Sequence, residues 1–203
     1  MNSGHLLVFE GPDGVGKTTL AQILARDLEN RGRSCIYKSF PGRDEGSLGR
    51  HVYELHHASK RFGIVRLHPM SLQLLHVSAH IDSIESDIKP ALRLGQDIIL
   101  DRYWWSTLVY GSVAGSNRDT LERLVDLERY YWDGIEPLVV FLLERHAVGA
   151  AEEQHQRLVS EYNRLAIHEG AHQSISRIST DRPVDESAAN VAAIANDLIS
   201  TSK

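Results

Sequence analysis

Read for its apolar and polar positions, the chain alternates short apolar runs with stretches of helical period. Leu6 to Phe9 (LLVF), Asp97 to Asp101 (DIILD) and Leu138 to Leu143 (LVVFLL) have continuous apolar centres, the pattern of strands buried on both faces. Ser34 to Ser39 (SCIYKS) and the weaker Ser174 to Ser179 (SISRIS) add two more strands. Helical text fills the intervals. One helix runs from the Gly-rich turn after Phe9 to about Asn30, where Arg31-Gly32 closes it. Ser47 to Leu94 is mostly helical, broken near Phe62-Gly63 and restarted at Pro69, where proline suits a first turn. Further helices are predicted over Trp104 to Trp132, roughly Ala151 to Glu169, and Val184 to Ser200. Strands alternating with helices predict an α/β fold: a doubly wound five-stranded parallel sheet with helices on both faces. Without a repeat, low-complexity tract or linker, one domain is expected over residues 1–203.

The first strand-to-helix junction carries the clearest chemistry. Gly11-Pro12-Asp13-Gly14-Val15-Gly16-Lys17-Thr18 fits G-x-x-x-x-G-K-[ST], with a strand before it and a helix after it. Its glycines let backbone N–H groups point at phosphate oxygens, and the helix N-terminus adds a positive dipole end. Gly11, Gly14, Gly16, Lys17, Thr18 and Thr19 are thus the candidate ATP contacts. Lys17 is placed on the β/γ-phosphates and the Thr18 hydroxyl on Mg²⁺. No N-K-x-D guanine motif occurs, and the chain is short for a motor or helicase, which leaves a small kinase. Asp101-Arg102-Tyr103 ends the third strand, where open α/β sheets place ligands. There an acid can hold Mg²⁺ through water, and an arginine can bind an anionic acceptor in bidentate fashion.

With these elements the chain resembles the thymidylate kinase family of nucleoside monophosphate kinases. The carriers are "FEGPDGVGKTT", "FPGR" at Phe40 to Arg43, "IKPAL" at Ile88 to Leu92 and "DRYWWSTLVY" at Asp101 to Tyr110, with "EPLVVFLLE" and "EYNRLA" as weaker echoes. The resemblance implies in-line transfer of the ATP γ-phosphoryl to a nucleoside monophosphate, dTMP by default, with Lys17, Arg102, Asp101 and a lid arginine as catalytic candidates. It implies that Asp13 receives the sugar 3′-hydroxyl and that Arg43 and Arg102 clamp the acceptor phosphate. Phe40, Ser106 and Tyr110 join the acceptor site, and the helix bearing Leu72, Leu75 and Ala79 becomes a homodimer face.

Three departures from the family are visible. Aligned on "IKPAL", His76 and His80 stand where the family stacks an aromatic ring and hydrogen-bonds the base with an arginine. Gly111 follows Tyr110 where a glutamine is usual. Members with glycine at the Gly14 position draw an arginine from a mobile lid, but Glu144 to Tyr162 is short for one. Arg145 and Arg157 are the arginines in that stretch, and Arg145 is taken as the candidate. Other expectations place Arg50 as an extra phosphate contact, and His56 and His57 on different sides of their helix.

Composition narrows the partners. A chain of 203 residues, 42% hydrophobic, suits a sizeable core. No apolar run is long enough to span a bilayer and no leader pattern opens the chain, so no membrane partner is expected. Cys35 is the only cysteine, which excludes an internal disulfide and suits a cytoplasmic setting. A net charge of −5 argues against a duplex nucleic-acid partner. Two other readings stay open: a kinase for a different nucleotide or nucleoside, and a nucleotide-binding regulatory module that has lost turnover.

Overall fold

A computed structural model of the chain describes residues 4–146 and 152–202. Strands β1 (Leu6–Glu10), β2 (Cys35–Ser39), β3 (Asp97–Asp101), β4 (Val139–Glu144) and β5 (Ile175–Ser179) form one sheet in the order β2-β3-β1-β4-β5. Every pairing is parallel. The helices are α1 (Lys17–Asn30), α2 (Leu48–Ala58), α3 (Pro69–Ser83), α4 (Lys89–Arg93), α5 (Trp104–Val113), α6 (Arg118–Trp132), α7 (Glu152–Glu169) and α8 (Val184–Thr201).

Alternation along β1 divides the interior. Leu6 and Val8 join a core with Ile98, Leu100, Val140 and Leu142, covered by Trp104, Trp105, Leu121 and Tyr162 of α5 to α7. Leu7 and Phe9 join the opposite core, with Ile99, Phe141 and Leu143 under Leu24 and Leu28 of α1 and Val191 and Ala195 of α8. Both faces of the central strands are buried, which is why their sequences lack polar alternation. Glu10 continues the first set, so its carboxylate lies under α5 and α7. From β1 the chain crosses to β2 on one side, and from β3 to β4 on the other. The loops at the C-terminal ends of β1 and β3 therefore part and leave a crevice. The pairing Phe9↔Asp101 sets the root of the phosphate loop beside Asp101.

Three details differ from the sequence reading. The helix expected over Trp104 to Trp132 is two helices. Gly115 takes φ 83, and the Asn117 side chain accepts the Thr120 N–H at 3.0 Å to cap α6. A π-helical segment, Ile84–Ile88, joins α3 to α4. His56 and His57 do not diverge; their rings stack with centroids 4.7 Å apart. Among the described residues, no helix is long and apolar enough to cross a membrane.

Candidate active site

The phosphate loop is shaped by glycines that no other residue replaces easily. Gly11, Gly14 and Gly16 have φ of 137, 78 and 97, and a Cβ on Gly11 would stand 2.4 Å from the Leu143 carbonyl oxygen. Lys17 Nζ donates to the Gly11 and Pro12 carbonyls at 2.8 and 2.6 Å, held within the loop. Thr18 Oγ1 donates to Asp101 Oδ2 at 2.5 Å, and Tyr37 donates to the same oxygen at 3.2 Å. Asp101 Oδ1 is buried without a partner. A hydroxyl beside a carboxylate with an unused oxygen is a donor set suited to Mg²⁺ and its waters. The adjoining cavity, about 330 Å³, is lined by Asp13, Lys17, Thr18, Thr19 and Arg43 among others.

Burial, reinforced by nearby Arg102, lowers the Lys17 ammonium from 10.5 to about 8, against Asp101, Asp13 and Glu10. The sign of the consequence differs for folding and binding. Between pH 8 and 9 the unfolded lysine still holds its proton while the folded one releases it, so stability rises by up to about 1.4 kcal/mol per pH unit. As pH approaches 9 Cys35 begins to pull the other way, and at higher pH the half-buried Tyr37 and Tyr110 do so too, all three values being raised by burial. The ammonium is the form able to attract a phosphate-bearing ligand into this loop, so affinity for such a ligand, with ATP as the probe, is expected to fall as pH passes about 8. Urea midpoints and ATP titrations at pH 7, 8 and 9 check both limbs, and Lys17→Met should remove both.

A second cavity, about 340 Å³, opens beside the first. Asp13, Phe40, Arg43, His76, His80, Arg102, Ser106 and Tyr110 all line it. Arg102 has φ 77, a backbone turn that aims its side chain across the crevice. Its guanidinium pairs with Asp13, donates to Ser106 Oγ at 3.0 Å and lies 5.1 Å over the Tyr110 ring. Burial raises the Asp13 carboxyl, but Arg102 and Lys17 outweigh it and hold it below the usual range. Arg43 lies over the Tyr53 ring at 4.6 Å. Arg50 does not join them; it pairs with Glu54 on its own helix at 3.0 Å.

Behind Arg102 lies a residue that sequence reasoning missed. Glu10 is fully buried and accepts the Tyr103 and Ser106 N–H groups at 2.7 and 3.0 Å, the Ser106 hydroxyl at 2.8 Å and the Tyr162 hydroxyl at 3.0 Å. Burial raises its carboxyl, and Arg102 is the largest opposing influence. A charged residue ending the apolar run LLVF was the available signal. Ser106 is thus a link between Glu10 and Arg102 as well as a cavity wall.

The rest of the cavity wall mixes apolar residues such as Pro41, Leu72, Val113 and Ala114 with polar side chains. Gln73 Oε1, His76 Nε2 and Thr107 Oγ1 are buried without partners. Burial, with His80 and His56 nearby, lowers the His76 imidazole to about 3, so it stays uncharged. Ala79 is buried inside the chain and is not free for the dimer face expected of it, whereas Leu72 and Leu75 stay half-buried. Gly111 has a packing cause: a Cβ there would stand 2.5 Å from Leu121 Cδ2 on α6. Gly111→Gln should therefore add no contact to the base and destabilise by about 1–3 kcal/mol, read as a urea midpoint shift.

Arg145 sits at the edge of the phosphate loop, on backbone carbonyls. Its guanidinium donates to the Thr180 carbonyl at 3.0 Å and to the Gly14 carbonyl at 3.4 Å. Arg157 is exposed on α7. The lid stretch Ala147 to Ala151 lies outside the described residues.

A family model described as thymidylate kinase matches residues 9–189. The chain belongs to the thymidylate kinase family. A probable thymidylate kinase of Thermococcus kodakarensis is 33% identical over 141 residues, 68% of this chain and 65% of the relative. A thymidylate kinase of Bartonella quintana is 34% identical over 143 residues, 70% of this chain and 63% of the relative. The matched stretch thus spans just under two thirds of these relatives' length. The crystal structure of a thymidylate kinase from Ehrlichia chaffeensis superposes with a TM-score of 0.78 at 21% identity, covering 95% of this chain and 99% of that one. This last likeness shows that the thymidylate kinase fold is shared.

Proposed function

We propose that this protein transfers the γ-phosphoryl group of ATP to a (deoxy)nucleoside monophosphate, dTMP by default, giving the diphosphate. One observation carries the reading: the phosphate-loop cavity and the second cavity meet, and Asp13, Phe40, Arg43 and Arg102 line both. Two cavities with arginines at their junction suit a donor and an acceptor whose phosphates must approach in line. Lys17 leaves its loop carbonyls for the donor phosphates, and Arg43 and Arg102 hold the acceptor phosphate. Asp13 takes the sugar hydroxyl. Thr18, with Asp101 through water, would hold Mg²⁺, which would supply positive charge to offset that of the donor phosphates. The acceptor phosphate is itself the nucleophile, so no strong base is required of the chain.

Arg145, seated on the Thr180 and Gly14 carbonyls, must swing inward to serve as the lid arginine, and Arg157 is the alternative. The reading extends to a cytoplasmic homodimer in which Leu74, 49% exposed, marks the outer face of α3. Sedimentation of wild type and Leu74→Glu tests that face. The activity itself is tested by ADP formation from ATP·Mg²⁺ with a panel of nucleosides and monophosphates. Stimulation confined to monophosphates is expected, and silence with all of them contradicts the reading.

A further inference from the structure

Two hydroxyls converge on one oxygen of Asp101, and only one of them belongs to the phosphate loop. Thr18 Oγ1 donates to Oδ2 at 2.5 Å from the start of α1. The Tyr37 phenol donates to the same oxygen at 3.2 Å from the adjacent strand β2. Parallel register puts it there: Tyr37 lies opposite Ile99 and Ser39 opposite Asp101. Tyr37 packs against the core under α1, on the β2 face it shares with Ser39. It does not line the phosphate-loop cavity, whereas Asp101 does. Asp101 is buried, and its Oδ1 has no partner.

What pins one oxygen decides what the other can do. The terminal torsion of an aspartate is broad and nearly two-fold, so an unpinned carboxylate exchanges its oxygens readily. The Thr18 hydroxyl is a divided pin: its hydrogen goes to Asp101, and a lone pair would go to Mg²⁺. The phenol has no second task of that kind. It keeps its proton through the neutral range, and the surrounding core fixes its ring. With Oδ2 taken by both donors, Oδ1 is the oxygen left unengaged.

We infer that Tyr37 is a positioning residue of the donor site, whose hydroxyl holds Asp101 Oδ2 and keeps Oδ1 free for the hydration shell of Mg²⁺. Tyr37 acts through Asp101 and touches neither nucleotide nor cation. A partner that orients a metal ligand is worth about tenfold to a hundredfold in metal affinity. Because water stands between Asp101 and the cation, the lower end of that range is expected. The inference rests on Mg²⁺ binding at Thr18 and Asp101 in the kinase reading.

The test uses the full chain and ATP binding without an acceptor, measured by calorimetry in excess Mg²⁺ and in EDTA. Tyr37→Phe keeps the ring; it should weaken ATP about tenfold with Mg²⁺ and by less than about twofold in EDTA. Electron paramagnetic resonance of Mn²⁺, with a non-hydrolysable ATP analogue bound, should show the same loss of metal affinity. Combined with Asp101→Ala, Tyr37→Phe should cause no further loss. Equal weakening with and without metal, or no weakening, overturns the inference. So does a further loss on top of Asp101→Ala, which would deny the route through that carboxylate. Loss confined to Tyr37→Leu, with Tyr37→Phe like wild type, assigns the residue to packing and also overturns it. A Tyr37→Phe chain that does not fold overturns it too, since the hydroxyl would then serve stability. If wild-type ATP binding ignores Mg²⁺, the inference and the metal placement fall together. ADP formation with dTMP then still decides the kinase reading on its own.

Discussion

Arg102→Ala should lower kcat/KM for the monophosphate by about 10²–10³ while leaving the ATP dissociation constant within a few fold. The asymmetry follows from where the guanidinium points. It is turned by its positive φ toward Asp13, Ser106 and Tyr110 on the acceptor side. Toward the donor side its influence is repulsive, because it is among the groups that lower the Lys17 ammonium. Its removal should therefore also move the high-pH limit of ATP binding upward from about 8. Arg102→Lys should recover little, since one ammonium cannot reproduce the fork that spans Asp13 and Ser106. Steady-state kinetics with ATP held saturating, beside ATP titrations of each variant, separates the two sides. Equal loss of ATP and acceptor binding contradicts the assignment.

Glu10→Ala should cost about 3–5 kcal/mol of stability, because four donors lose their acceptor inside the core and a cavity opens. Glu10→Gln should cost less, about 1–2 kcal/mol: the Ser106 and Tyr162 hydroxyls can reverse to accept from the amide, while the two backbone N–H groups keep an oxygen. Chemical denaturation midpoints give both values. Folded Glu10→Gln should still show a raised monophosphate KM with little change for ATP, because Ser106 passes the lost negative charge on to Arg102. Equal destabilisation by Ala and Gln would indicate that volume, and not hydrogen bonding, governs the site.

Much of this architecture was legible in the chain because it rests on local rules. The continuous apolar centres at Leu6, Asp97 and Leu138 become the three central strands, and G-x-x-x-x-G-K-T becomes a loop whose glycines adopt conformations other residues avoid. "FPGR" and "DRY" converge because β2 and β3 are neighbours in register, with Ser39 opposite Asp101. What escaped the sequence depends on contacts distant along the chain. Tyr162 reaches Glu10 across 152 positions, and Glu128 reaches His80 across 48. No periodicity marks such pairs. Gly111 was legible as a departure, but its cause is Leu121 on a helix that the sequence had merged with α5. Ala79 was grouped with an outer face because an all-round apolar helix does not reveal which of its positions pack inward.

The central claim is that the two adjoining cavities hold a phosphoryl donor and a phosphate acceptor in one complex. Label transfer from ATP carrying a radioactive γ-phosphate, with Mg²⁺ and dTMP present, tests it most directly. The account predicts label in dTDP, lost in Arg102→Ala and in Lys17→Met. Label released only as inorganic phosphate, or retained in ATP with every monophosphate supplied, would contradict it.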